Sequence, residues 1–281
     1  MSPRDLEALD GAPVGRRRSA RSIVTAVPML GFGIRVYALG AIALGVVGLV
    51  WDDFALVWQP VPQGIPARAL LAWLFAAALT AGGIAAAWRR TAAWGSAALA
   101  MLFSIAVLLH VPRIINHPQV LGAWSGLAEQ LALAAAGLLA YASRGEAAAQ
   151  AHACRRIALG AFGLCLLLFG AAHFAYLNET ADMVPGWLPP ARTFWAAVTG
   201  AAHLAAGAAI LTGVQARLAA ILLTLMCALF GVLVHAPLLL ADPHSQLNWV
   251  MNGMNLSLTG AAWVVADSLA PARAARMSGR P

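Results

Sequence analysis

Two histidines open the same short motif and give the chain its first chemical signal. His110-Val-Pro112 is followed by Pro118, and His235-Ala-Pro237 by Pro243, so each reads His-x-Pro with a second Pro further on. Trp124 and Trp249 stand at matching places after those second prolines. Two imidazoles brought together from different helices can ligate a metal ion or a haem iron, or hydrogen-bond a quinone head group. On that reading His110, His235, Trp124 and Trp249 contact the cofactor. The same pattern also serves as a helix end, with His capping and Pro terminating, and most such Trp residues read as interface anchors. Other polar groups fall inside apolar stretches, where each is costly and therefore a functional hypothesis. Glu129 and His203 lie in mid-stretch and could form a proton path or meet each other. Asp53 and His173 sit at the ends of two corresponding stretches and could pair. Asn252 and Asn255 flank Met254, the counterpart of Glu129, and read mainly as hydrogen-bonding glue between helices.

These residues recur because the chain is written twice. Residues 101–138 and 226–263 align without a gap at an offset of 125, pairing Met101 with Met226, His110 with His235, Pro112 with Pro237 and Trp124 with Trp249. Pro66-Ala67-Arg68 matches Pro190-Ala191-Arg192 upstream, and Ala38-Leu39-Gly40 matches Ala158-Leu159-Gly160. A duplication implies a symmetry axis that relates the retained residues.

Composition says where such a chain lives. It is 61% hydrophobic and only 10% charged, with a mean hydropathy of +0.77. A soluble domain of 281 residues cannot hide that much apolar surface. All 18 basic residues are Arg, and they fall in short runs between apolar stretches, as topology signals do. The net charge of +7 therefore does not indicate nucleic-acid binding, since no basic face with interleaved aromatics exists. Cys154, Cys165 and Cys227 contain no C-x-x-C pair, which argues against a disulfide scaffold or dithiol centre. The first 21 residues are polar and Arg-rich and read as a cytoplasmic tail rather than a signal peptide.

A membrane helix needs about 20 apolar residues. The sequence predicts eight, near 36–56, 68–88, 92–112, 120–141, 157–177, 193–213, 217–240 and 247–267. With the N-terminus inside, nearly all Arg residues face the cytoplasm, and only Arg68, Arg113 and Arg192 face outward. Four spans per half leave both halves in the same orientation. The expectation is an all-α membrane protein of eight transmembrane helices, built as two parallel four-helix-bundle repeats with both termini cytoplasmic. Its parts are a tail and interfacial segment at 1–34, a first repeat at 35–141, a linker at 142–156, a second repeat at 157–267 and a tail at 268–281.

No P-loop, dinucleotide fingerprint, H-E-x-x-H or G-x-S-x-G is present, so nucleotide-driven and hydrolytic chemistry lack support. The second half resembles the DoxX-like family of small bacterial membrane proteins. The resemblance rests on Arg156-Ile-Ala-Leu-Gly160, Gly170-Ala-Ala-His173-Phe174, Val184-Pro-Gly-Trp187-Leu188-Pro189 and Thr199-Gly200-Ala-Ala-His203-Leu-Ala-Ala-Gly207. It continues through Gly213-Val-Gln-Ala-Arg217 and covers roughly 155–267; the first half matches more weakly and lacks the Pro-x-Trp-Leu-Pro string. The resemblance implies a four-helix bundle per repeat, residence in the bacterial inner membrane and, for some relatives, association with quinone-linked oxidoreductases. It carries over no catalytic residue, so whether the chain is an enzyme stays open. The expected function is a redox-linked membrane component that contacts quinone, or a haem or metal centre at His110 and His235, near the periplasmic side. The lipid bilayer is its medium and a redox protein its partner. A small-solute or ion transporter and a non-catalytic anchor are the alternatives.

Overall fold

A computed structural model describes residues 31–144 and 148–270. The expected tails at 1–34 and 268–281 lie almost entirely outside the described residues, as does the centre of the 142–156 linker. All regular elements among the described residues are helical: α1 Gly33–Trp51, α2 Arg68–Ala87, α3 Ala92–Asn116, α4 Leu121–Ala142 and α5 Ala148–Ala175. They continue with α6 Leu177–Met183, α7 Arg192–Thr212, α8 Ala216–Phe230, α9 Ala236–Ala241 and α10 Gln246–Ser268. A π-helical turn, Gly231–His235, joins α8 to α9, so Ala216–Ala241 runs as one rod. Among the described residues, seven helices are long and apolar enough to cross a bilayer. Lipid permits that architecture, because a helix satisfies its backbone hydrogen bonds internally. Helix α10 is also long, at 23 residues, but carries more polar side chains.

The long helices pack in a closed circuit: α1 on α2, α2 on α3, α3 on α4, α4 on α5, α5 on α7, α7 on α8, α8 on α10 and α10 back on α1. Helices α4 and α10 also touch each other. They therefore divide the circuit into two lobes, one walled by α1, α2 and α3 and the other by α5, α7 and α8. Between apolar helices in lipid, close approach of backbones supplies much of the attraction. A Cβ on Gly260 of α10 would stand 2.1 Å from the Tyr37 backbone nitrogen, and one on Gly40 of α1 would stand 2.4 Å from that of Ser257. The α5–α7 contact is built alike, with Gly170 and Gly163 lying against the carbonyls of Gly200 and Gly207. The buried Tyr37 hydroxyl crosses the first lobe and donates to the Leu133 carbonyl at 2.9 Å.

Several boundaries differ from the expectation for local reasons. Helix α1 stops at Trp51 because Asp52 takes a left-handed conformation, and Leu56–Trp58 forms a short 3-10 turn instead of helix. Helix α5 begins at Ala148 because its Ala-rich, Arg-containing approach is itself helix-forming. There Arg155 donates to the Ser268 carbonyl at 3.1 Å. Neither His-x-Pro motif ends a helix: Pro112 lies inside α3, which runs on to Asn116, and Pro237 lies inside the α8–α9 rod.

Candidate functional site

The two copies of the His motif end in different surroundings. His110 is almost completely buried, and its ring lies on Gly126 of α4, where a Cβ would come within 2.6 Å of Cε1. Its Nε2 donates to the Trp58 carbonyl at 3.2 Å, since a carbonyl can only accept. Its Nδ1 is buried without a partner. At the position corresponding to Gly126, α10 carries Met251, which leaves no equivalent bed for His235. His235 instead lies on the wall of a cavity of about 750 Å³ in the second lobe. His110 is not part of that wall. The expected His110–His235 pair is thus not brought onto one cavity wall. The two rings occupy separate environments, and among the described residues no three His, Cys, Asp or Glu side chains gather as a metal site.

The cavity brings together most of the other candidates. Its walls are largely apolar, with Phe162 and Leu166 of α5, Leu223 and Phe230 of α8, and Met254 and Leu258 of α10. Into it face Glu129, His173, His203, His235 and Asn255. Helix α6 and the segment after it close one end through Thr180, Met183 and Leu188. Val198 of α7 and Leu222, Leu225 and Leu229 of α8 line the cavity while remaining 40–56% exposed. The rim between those helices is thus apolar.

Two histidines form the most ordered polar feature of the wall. His173 and His203 lie with ring centroids 4.8 Å apart, and the Phe169 ring meets His203 edge-on at 5.9 Å. Each Nδ1 reaches a carbonyl one helical turn back: Phe169 at 2.8 Å for His173, Thr199 at 2.9 Å for His203. Glu129 is met by the indole N–H of Trp58, which donates to Oε2. The expected partners are therefore replaced. Glu129 bonds to Trp58, not to His203. Asp53 pairs with Arg68, not with His173, and the Arg68 guanidinium also lies 5.3 Å from the Phe54 ring centre. Asp53 lines a separate, smaller pocket with Arg68 and Arg113.

Trp124 and Trp249 are not on the cavity wall. Their indoles donate to the carbonyls of Pro118 and Pro243, each at 2.9 Å, and so pin the turns before α4 and α10. Trp195 does the same to Pro189 at 2.8 Å. The second proline of each motif thus belongs to a Trp-locked turn.

Asn252 and Asn255 work with Asn248, which the sequence reading passed over. Asn252 donates to the carbonyls of His235 at 2.8 Å and Asn248 at 2.9 Å. Asn255 donates to Cys227 at 3.1 Å, and Asn248 to Leu238 and Asp242 at 3.0 and 3.1 Å. Their spacing puts them on one face of α10. That face serves the stretch of the rod where Pro237 lacks an N–H and the π-turn shifts the ladder.

Trp58 and Gln130 were also missed. The reach of Trp58 into the cavity depends on the 3-10 turn, which no apolar run announces. Gln130 is 1% exposed between α4 and α10, its amide on the Met254 sulfur at 3.8 Å and its Oε1 unpartnered.

The model of a family described as "Domain of unknown function (DUF8561)" matches residues 162–266. Those residues supply the whole cavity wall except Trp58, Ser125 and Glu129. No curated protein and no solved structure matches the chain.

Proposed function

We propose that the chain is a redox-linked component of the bacterial inner membrane that binds a quinone-type molecule in the second-lobe cavity. One observation carries this reading: a 750 Å³ cavity with largely apolar walls onto which Glu129, His173, His203 and His235 converge. Such a space suits a lipid-soluble ring with a few polar atoms, because apolar walls supply affinity and a few fixed polar groups supply orientation. The apolar rim of Val198, Leu222, Leu225 and Leu229 supports entry from the lipid phase. The resemblance of residues 155–267 to DoxX-like proteins points to the same chemistry.

The topology belongs to the proposal. Helix α10 serves as an eighth span, about 35 Å long at 1.5 Å per residue, its Asn face turned to the rod and not to lipid. The two sets of four spans are parallel repeats related by a pseudo-two-fold axis. In support, α1 packs on α10 as α4 packs on α5, and α4 meets α10 between the lobes. The Arg distribution puts both termini in the cytoplasm and Tyr176 and α6 on the periplasmic side.

An azido-quinone cross-linked to the purified chain tests the reading. Labelled peptides are expected from α5, α7 and α8, with competition by unlabelled quinone. Labelling spread evenly over lipid-facing helices, without competition, would contradict it. A purely structural anchor has no need of a cavity lined by ionisable groups, so the cavity favours ligand binding over that alternative.

A further inference from the structure

We propose that the His173–His203 pair makes one corner of the cavity a hydrogen-bond-accepting site, which therefore selects ligands that carry a hydroxyl group over those that carry only carbonyl or ether oxygens. This rests on the ligand-binding reading above and sharpens it to a ligand class: an apolar molecule with a hydroxyl head, either the reduced, quinol form of a quinone or a membrane-resident alcohol.

His173 and His203, tilted against each other with ring centroids 4.8 Å apart, set the character of this corner. A backbone carbonyl has only lone pairs, so the contacts of His173 Nδ1 to Phe169 at 2.8 Å and of His203 Nδ1 to Thr199 at 2.9 Å place the hydrogen on Nδ1 in both rings. A neutral imidazole carries one N–H, so both Nε2 atoms then hold a bare lone pair. A second proton on either ring would put a charge into an apolar wall. Among the described residues neither Nε2 has a protein partner, and neither is an enclosed, unsatisfied atom of the kind found at His110 Nδ1 and His235 Nδ1. Both rings belong to the cavity wall. The lone pairs are thus free to take hydrogen bonds from whatever fills it.

The Trp58 indole N–H already occupies Glu129 Oε2, and the same apolar wall that keeps the imidazoles uncharged keeps this carboxyl neutral, so Glu129 can both accept and donate. One N–H of the Asn255 amide is committed to the Cys227 carbonyl. The Thr199 hydroxyl donates within its own helix to Trp195 at 2.8 Å. These side-chain donors are committed to the protein and the free atoms of the His173–His203 pair accept, while the Tyr176 hydroxyl and the His235 N–H elsewhere on the wall remain able to donate. A carbonyl oxygen facing two bare Nε2 lone pairs is repelled, whereas a hydroxyl is held.

The test compares matched pairs on full-length protein in detergent. One pair is a decyl-substituted benzoquinone and its quinol, held under reductant; the other is dodecanol and its methyl ether. The quinol, the alcohol or both are expected to bind at least about tenfold more tightly than the partner lacking donors. Tight binding of the quinol alone assigns the site to the reduced quinone, and of the alcohol alone to a lipid alcohol. The variant His173→Gln/His203→Gln, whose amides can donate, is expected to narrow or reverse the preference without loss of folding. Equal affinity within both pairs overturns the inference while leaving a ligand site in place. Binding of none of the four overturns the inference and the binding proposal together.

Discussion

The two lobes start from matching sequence and differ in what occupies the middle. In the first lobe, the segment after α1 turns inward: Phe54, Ala55 and Gln59 are buried, and Gln59 accepts from the Ala55 backbone N–H at 2.9 Å. His110 fastens this segment by the Trp58 carbonyl, and Tyr37 spans to α4. In the second lobe, the corresponding segment forms α6 and lies across the end of an open space. A filled lobe is a scaffold; a hollow one can take a ligand. The filled lobe also serves the hollow one, because Trp58 and Glu129 stand on the cavity wall although they belong to the first half of the sequence.

Breaking the filled lobe should have the largest effect. Trp58→Ala removes a large side chain packed against the core and leaves Glu129 without its donor, and is expected to destabilise the protein by about 3–5 kcal/mol in denaturant titrations in mixed micelles. Next comes Gly126→Met, which gives α4 the residue that α10 has at 251. It forces the His110 ring off its bed and is expected to cost about 1–3 kcal/mol. The reciprocal Met251→Gly should leave folding less affected and enlarge the cavity. Equal destabilisation by the two swaps would mean that the lobes do not differ as described.

Smaller effects sharpen the contrast. Asn252→Leu removes the bonds to His235 and Asn248 and should cost about 0.5–1.5 kcal/mol by the same titration. Asp53→Asn breaks a partly exposed ion pair with Arg68 and is expected to change stability by less than about 1 kcal/mol.

Much of the frame was legible in residue types. Apolar run lengths gave the long helices, and the offset of 125 singled out His110 and His235. Glu129, His173, His203 and Asn255 were recognised individually because an ionisable or amide group in an apolar stretch needs a reason. Their convergence on one cavity was not legible, because it depends on where α5, α7 and α8 separate. Nor was the divergence of the two His motifs. It turns on Gly126 against Met251, a difference that looks minor until a ring must be placed against the helix. The Trp-locked turns were legible in principle from Pro-Trp spacing shared by Pro118 and Trp124, Pro189 and Trp195, and Pro243 and Trp249. The π-turn is a property of the Gly231–Pro237 stretch meeting an Asn-bearing partner, which no local pattern announces.

The most direct test of the hollow lobe as a ligand site is a titration of the purified full chain with a decyl-substituted benzoquinol, followed by quenching of tryptophan fluorescence, since Trp58 and Trp195 line the cavity. Saturation at one molecule per chain is expected, abolished in His203→Phe and preserved in His110→Phe. Quenching that never saturates, or that is lost equally in both variants, would contradict the account.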